Sequence, residues 1–181
     1  MLEWGVPLLK GPVMSISMVQ ATSPRFVNGL RNLAAILKKG AEHAAAQGWD
    51  AQVLLQARLY PDMFPLVRQV QIACDSAKGA VARLAGVDIP SFPDTETSFD
   101  ELQARIQKTI DFIEHVDASK LDGSETRAIH LKAGGRELHF VGSQYLMGWA
   151  WPNFHFHSTT AYALLRHNGV PLGKRDYLGE V

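Results

Sequence analysis

Apolar residues return every three or four positions through most of this chain, and that spacing limits the fold more than any other feature. A period near 3.6 is what one face of an α-helix shows when it packs on a core. Four stretches carry it. The first opens at Ser23-Pro24, an N-cap residue with proline at the first helical position. Phe26, Leu30, Leu33, Leu37, Ala41 and Ala44 then mark one face to about Gly48, and Gly29 and Gly40 point to close packing. The second runs from Pro61-Asp62 to Gly86, with Pro65 inside its first turn and Leu66, Val70, Ala73, Ala77, Val81 and Leu84 apolar. The third starts at the capping box Ser98/Glu101 and presents Leu102, Ile106, Ile110, Ile113 and Val116. The fourth runs from about Ser143 to Asn168 and ends at Asn168-Gly169, with Pro171 just beyond. Pro152 lies inside it, so a kink or break is expected there.

The period changes to two at one place, RAIHLKAGGRELHFV. Gly134-Gly135 suits a two-residue hairpin turn. Pairing across it sets Leu131 opposite Leu138 and Ile129 opposite Phe140, with Lys132 facing Glu137 and His130 facing His139 on the other side. Two facing histidines on an exposed ribbon are too few ligands for a good metal site. Residues 49–60 read as a connector with a helical turn of its own, and the proline-rich run GVDIPSFPDTETS as a loop. The expected class is all-α: a four-helix bundle with a small β-hairpin between helices three and four.

Composition narrows the functional classes. Eighteen basic and eighteen acidic residues cancel, which leaves no electrostatic footprint for nucleic acid or an anionic membrane. No apolar run is long enough to span a bilayer. The single Cys74 excludes an internal disulfide and fits a reducing cytoplasm. Residues 1–13 lack any period, so a single domain over residues 14–181 is expected, preceded by a non-native or disordered extension.

The chemistry-bearing residues concentrate in the last helix. Residues four apart share a face, so Trp149, Asn153, His157 and Ala161 look one way, while His155 looks another with Trp151, Thr159, Tyr162 and Arg166. The plainest reading of His157 is a structural histidine hydrogen-bonded in the core; the alternative is a catalytic or ligand-binding role. His167, beside the C-cap, reads as a charge partner of the helix terminus. On the second helix, Arg68, Gln71, Asp75 and Lys78 form a polar stripe, either a solvated face or the wall of a cleft.

The runs MSISMVQATSPRFVNGL, PDMFPLVRQVQIACDSAKGAVARLAGV and PNFHFHSTTAYALLRHNGVPLGKRDYLG resemble an uncharacterised bacterial family, a domain of unknown function. The similarity spans Met14 to Gly179. That family is placed in the DinB/YfiT-like superfamily of metalloenzymes, which implies helices in up-down-down-up order. Better-known members bind a divalent metal through three histidines, one from the second helix and two, four apart, from the last. Some use it to activate a thiol such as mycothiol or bacillithiol for transfer or isomerisation. Matching the helix ends through Arg166 and Gly169 puts His157 on the second of the paired histidines and Asn153 on the first. The second helix has no histidine; it offers Gln69, Gln71 and Asp75.

Amide oxygens are weak ligands for zinc or nickel, so the resemblance implies the fold without the metal triad. No cofactor is expected; any metal would fall to His157, Asn153 and Gln71. What remains is a polar inter-helix pocket of Asn153, His157, Thr160, Gln71 and Asp75, open to a small-molecule ligand. In it His157 is the best candidate base, oriented by Asp75 or Gln71, while Asn153 and Thr160 add hydrogen bonds. Two alternatives stand beside this. One is a metal-dependent thiol transferase or isomerase with a non-standard ligand set. The other is a non-catalytic homodimer, since Trp149, Trp151, Phe154 and Phe156 exceed what one core needs. Whether the chain is an enzyme stays open at this point.

Overall fold

A computed structural model describes residues 16–179. Residues 1–13, expected to be an extension, lie outside the described residues. The chain is mostly helical with one two-stranded antiparallel hairpin. Helix α1 covers Ser23–Gln47, α2 Leu66–Ala85 and α3 Phe99–His115; strands β1 and β2 cover Ala128–Ala133 and Arg136–Val141; helix α4 covers Trp151–His167 and the short α5 Lys174–Leu178.

Each helix begins and ends where local chemistry dictates. Ser98 Oγ accepts from the Glu101 N–H while Glu101 reaches back to the Ser98 N–H, so α3 starts on the expected capping box. Gly48 and Gly86, both at φ 68°, take the left-handed C-cap positions that end α1 and α2. Thr22 is the N-cap of α1, so Ser23 stands one place inside the helix and Pro24 follows it. The expected start of α2 at Pro61-Asp62 is corrected to Leu66. Pro65 is extended at its N-cap (φ −70°, ψ 168°) and biases Phe64 away from helical geometry, so Pro61–Met63 form a separate turn.

The last helical segment is interrupted just before Pro152. After a turn at Gly142–Tyr145, Leu146–Ala150 widen into a π-turn in which the Trp151 N–H reaches the Leu146 carbonyl. A five-residue step absorbs the hydrogen bond that the proline cannot donate. The hairpin has the expected register, with Ile129 opposite Phe140, Leu131 opposite Leu138 and His130 opposite His139.

Helix α2 is the buried spine. Leu66, Val70, Ala73, Ala77, Val81 and Leu84 are fully buried, and α2 packs on both α4 and α3. Each fully buried Leu or Val contributes about 1.5–3 kcal/mol. Helix α1 packs on α3 and, more lightly, on α4, while α1 and α2 scarcely meet. The neighbours therefore run α1, α3, α2, α4 around a common core. Helix α5 lies on α1, tied by the Lys39–Asp176 ion pair (2.5 Å) and by Asn32 Nδ2 donating to the Tyr177 carbonyl (3.2 Å).

Candidate functional site

Where α4 meets α2, one imidazole and one amide join the two helices. His157 Nδ1 lies 2.7 Å from Gln69 Oε1, and Gln69 Nε2 donates to the Phe64 carbonyl at 3.0 Å. That second bond fixes the amide, because a carbonyl oxygen can only accept. Gln69 must then turn its oxygen to His157, so Nδ1 carries the proton and Nε2 keeps its lone pair. Gln69 is buried and His157 half-buried. Burial and then the nearby Arg68 charge hold the imidazole below its ordinary value, so His157 is neutral at neutral pH. No hydrogen bond to Nε2 exists among the described residues.

Among the described residues, none of the other expected pocket residues hydrogen-bonds this imidazole. Asn153 Nδ2 donates to the Trp149 carbonyl (2.7 Å), within the π-turn ahead of Pro152. Buried Thr160 gives its proton to the Phe156 carbonyl one turn back (2.7 Å). The orienting partner expected at Asp75 or Gln71 is instead Gln69. The other two turn to α3 and the preceding loop. Gln71 Nε2 donates to Glu96 (2.9 Å), and its oxygen accepts from Arg68 (3.2 Å). Asp75 accepts from Arg105 and pairs with Lys78, both at 3.0 Å.

This second cluster centres on Arg105, which is buried almost completely. Its guanidinium meets Asp75 (3.0 Å), Asp94 (2.9 Å) and Glu96 (2.9 Å), and Arg68 also pairs with Asp94. Lys78 and Lys108 stack on the ring of Phe92 at 4.0 and 4.3 Å. The result pins the 87–97 loop against α2 and α3. Cys74, buried beside this network, has its thiol pushed up to about 12, first by burial, so it is not a nucleophile.

His155 points away from both clusters, with Nδ1 3.1 Å from Tyr177 Oη. His130 and His139 face one another at 2.5 Å on the exposed hairpin. Among the described residues, no three His, Cys, Asp or Glu side chains group as metal ligands, and no helix is long and apolar enough to cross a membrane.

Gln69 and Arg105 are the residues that sequence reasoning passed over as partners. A signal existed for the first: Gln69 stands three after Leu66 and four before Ala73, a lone amide on an apolar stripe. Arg105 sits next to Ile106 on the apolar flank of α3, where a cation needs a carboxylate from elsewhere.

Comparison with known proteins places this geometry. The family described as "Domain of unknown function (DUF1993)" matches residues 18–178. The crystal structure of a DinB family member protein from Shewanella denitrificans, at 1.83 Å resolution, is similar with a TM-score of 0.82. The two sequences are 40% identical, over 91% of this chain and 93% of that one. No curated protein matches the chain.

Proposed function

The chain belongs to the DUF1993 family of domains of unknown function, and from that premise we propose a ligand-binding protein on a DinB-like bundle that has given up metal chemistry. In this reading the helices form an up-down-down-up four-helix bundle, an order supported by the ring of neighbours α1, α3, α2 and α4. The observation that carries the functional reading is the 2.7 Å bond between His157 and Gln69, which joins α4 to α2 across the metal side of the superfamily's bundle.

The donor set argues against zinc or nickel. One imidazole is present, its Nδ1 is committed to Gln69, and Gln69 and Asn153 are neutral amides, one of which repairs the π-turn. Such oxygens are poor partners for a borderline transition metal, and a catalytic zinc site ordinarily has three His or carboxylate ligands. Gln71 and Asp75 are spent on the Arg105 cluster. What the site keeps is a neutral, half-exposed imidazole with a free Nε2. That nitrogen accepts a hydrogen bond from a ligand hydroxyl or N–H, and can act as a general base toward it. Buried, unreactive Cys74 fits a cytoplasmic location.

Elemental mass spectrometry on protein purified without an affinity tag is the first test. Absence of metal after reconstitution with excess zinc or nickel is the expected result. Near one equivalent of zinc, nickel or iron would overturn this reading in favour of a thiol transferase or isomerase with an unorthodox site. A fragment screen for small hydroxyl-bearing molecules, read at the His157 ring signals with His157→Ala as control, then tests the binding itself.

Self-association is a second reading, carried by Met147 and Phe156, which are 59% and 57% exposed on the last helical segment. The other aromatic residues do not add to it. Phe154 is buried edge-on against Phe26 (5.3 Å), and Trp149 and Trp151 pack on the core. A homodimer in light scattering, lost in Phe156→Ser, is the outcome this reading requires.

A further inference from the structure

On the side of α4 away from His157, a cleft opens between α1, α4 and α5. It consists of two adjoining hollows that share Phe154 and His155 as a wall. The inner one, about 40 Å³, is closed by Tyr177 of α5; the outer, about 180 Å³, is bounded by Arg25, Phe26 and Trp151. An apolar cavity of about 150 Å³ holds a benzene molecule, and a single water needs only about 10–15 Å³. The outer hollow therefore takes one ring with a small substituent, and the inner one a methyl group or a water.

The walls specify the occupant further. The floor is the edge-to-face pair Phe26 and Phe154. This floor depends on Gly29, because a Cβ there would fall 2.6 Å from the Phe154 ring. The rim carries one cation, Arg25. Arg25 is exposed and has no ion pair or hydrogen bond among the described residues, and the buried indole N–H of Trp151 likewise has no partner among them. An unmade bond at a buried donor is unfavourable, and this one belongs to a residue that bounds the outer hollow. His155 adds a neutral imidazole, its proton affinity lowered by burial and its Nδ1 held by Tyr177, which in turn accepts from Thr159. An apolar floor with a cation on its rim suits an apolar molecule with a single anionic head.

We propose that this cleft binds a small aromatic monocarboxylate, its ring on Phe26 and Phe154 and its carboxylate toward Arg25 and the Trp151 side. The site is independent of His157. Phenylacetate and its neutral counterpart phenylacetamide separate the charged from the purely apolar contribution in an NMR titration of the full chain. Phenylacetate is expected to shift the Trp151 indole and His155 ring signals, and to bind about fivefold more tightly than the amide, the strength of one exposed charge contact. Arg25→Gln should remove that preference, while Arg31→Gln, on the same helix as Arg25 but paired in the native chain with Glu114 of α3, should leave it intact. Absence of shifts at millimolar ligand, equal affinity for acid and amide, or shifts centred on His157 would each overturn the proposal.

Discussion

Gln69 and Asp75 stand less than two turns apart on α2 and belong to two sites of opposite construction. Around Asp75 the charges close on themselves: Arg68, Lys78 and Arg105 against Asp75, Asp94 and Glu96, with the loop before α3 drawn in as ligand. Around Gln69 there is no formal charge in contact, only a neutral imidazole and an amide locked by a backbone carbonyl. The first site spends its charges on one another, with Arg105 Nε alone in that guanidinium left without a partner among the described residues, and the second does not. A closed charge network fixes a loop but offers a ligand little, because entry would break bonds already made. The neutral pair leaves His157 Nε2 uncommitted at half exposure, which a ligand can use at little cost.

Breaking the charged site gives the largest expected effect. Arg105→Ala strips three carboxylates of their common cation, and removing one partner of a buried pair typically costs about 3–5 kcal/mol. Asp75 and Asp94 keep roughly two fifths of their side-chain surface in water, so the loss should fall toward the lower end of that range. Urea denaturation measures it, with ring signals of His157 unmoved in the folded variant. A loss below about 1 kcal/mol would reduce the network to ordinary surface pairing.

Breaking the neutral site comes next. Gln69→Leu leaves the His157 Nδ1–H and the Phe64 carbonyl without their amide, a cost of about 1–3 kcal/mol if neither finds water. The sharper readout is the tautomer. With Oε1 gone nothing selects Nδ1–H, and the ¹⁵N signals of His157 should move toward the Nε2–H form. An unchanged tautomer would mean that Gln69 is packing rather than an orienting group.

The contrast also explains what the sequence could and could not convey. Both apolar periodicity and cap chemistry are local, so α1, α3 and the hairpin are readable from residues such as Ser98, Glu101 and Gly134-Gly135. The start of α2 depended on Pro65 acting at the N-cap rather than inside the first turn, a choice that the turn at Pro61–Met63 settles. The polar stripe of α2 was visible, but not its division. Gln71 and Asp75 were expected at His157; Gln71 instead bonds Glu96 and Arg68, and Asp75 meets Arg105, thirty positions beyond it on another helix. Long-range pairing of this kind has no local signature. Asn153 was expected in the pocket; its bond to the Trp149 carbonyl depends on a π-turn that apolar periodicity does not announce.

The smallest effect concerns protons, and it separates the two sites most directly. An unfolded histidine titrates near 6.5. In the folded chain His157 lies below that, from burial and then from Arg68, and His155 lies below it from burial. Between 6.5 and those lower values the unfolded chain binds more protons, so stability is complete above pH 6.5 and falls as the pH drops through the window. His157 is half-buried and His155 exposed, so each share should stay under about 1 kcal/mol. The carboxylates Glu101, Asp117 and Asp176 are depressed as well and titrate further down, out of this range. Urea midpoints from pH 7.5 to 5.5 should therefore decline, and His157→Asn should flatten part of that decline. Gln69→Glu supplies the converse. A carboxylate against Nδ1 favours the imidazolium and raises its pKa by about 1–3 units. The sign then reverses: the contribution of His157 is fully present below 6.5 and is lost as the pH rises through the new value. If Gln69→Glu and the native chain show the same slope, the imidazole does not sense position 69, and the neutral site has no more claim to function than the charged one.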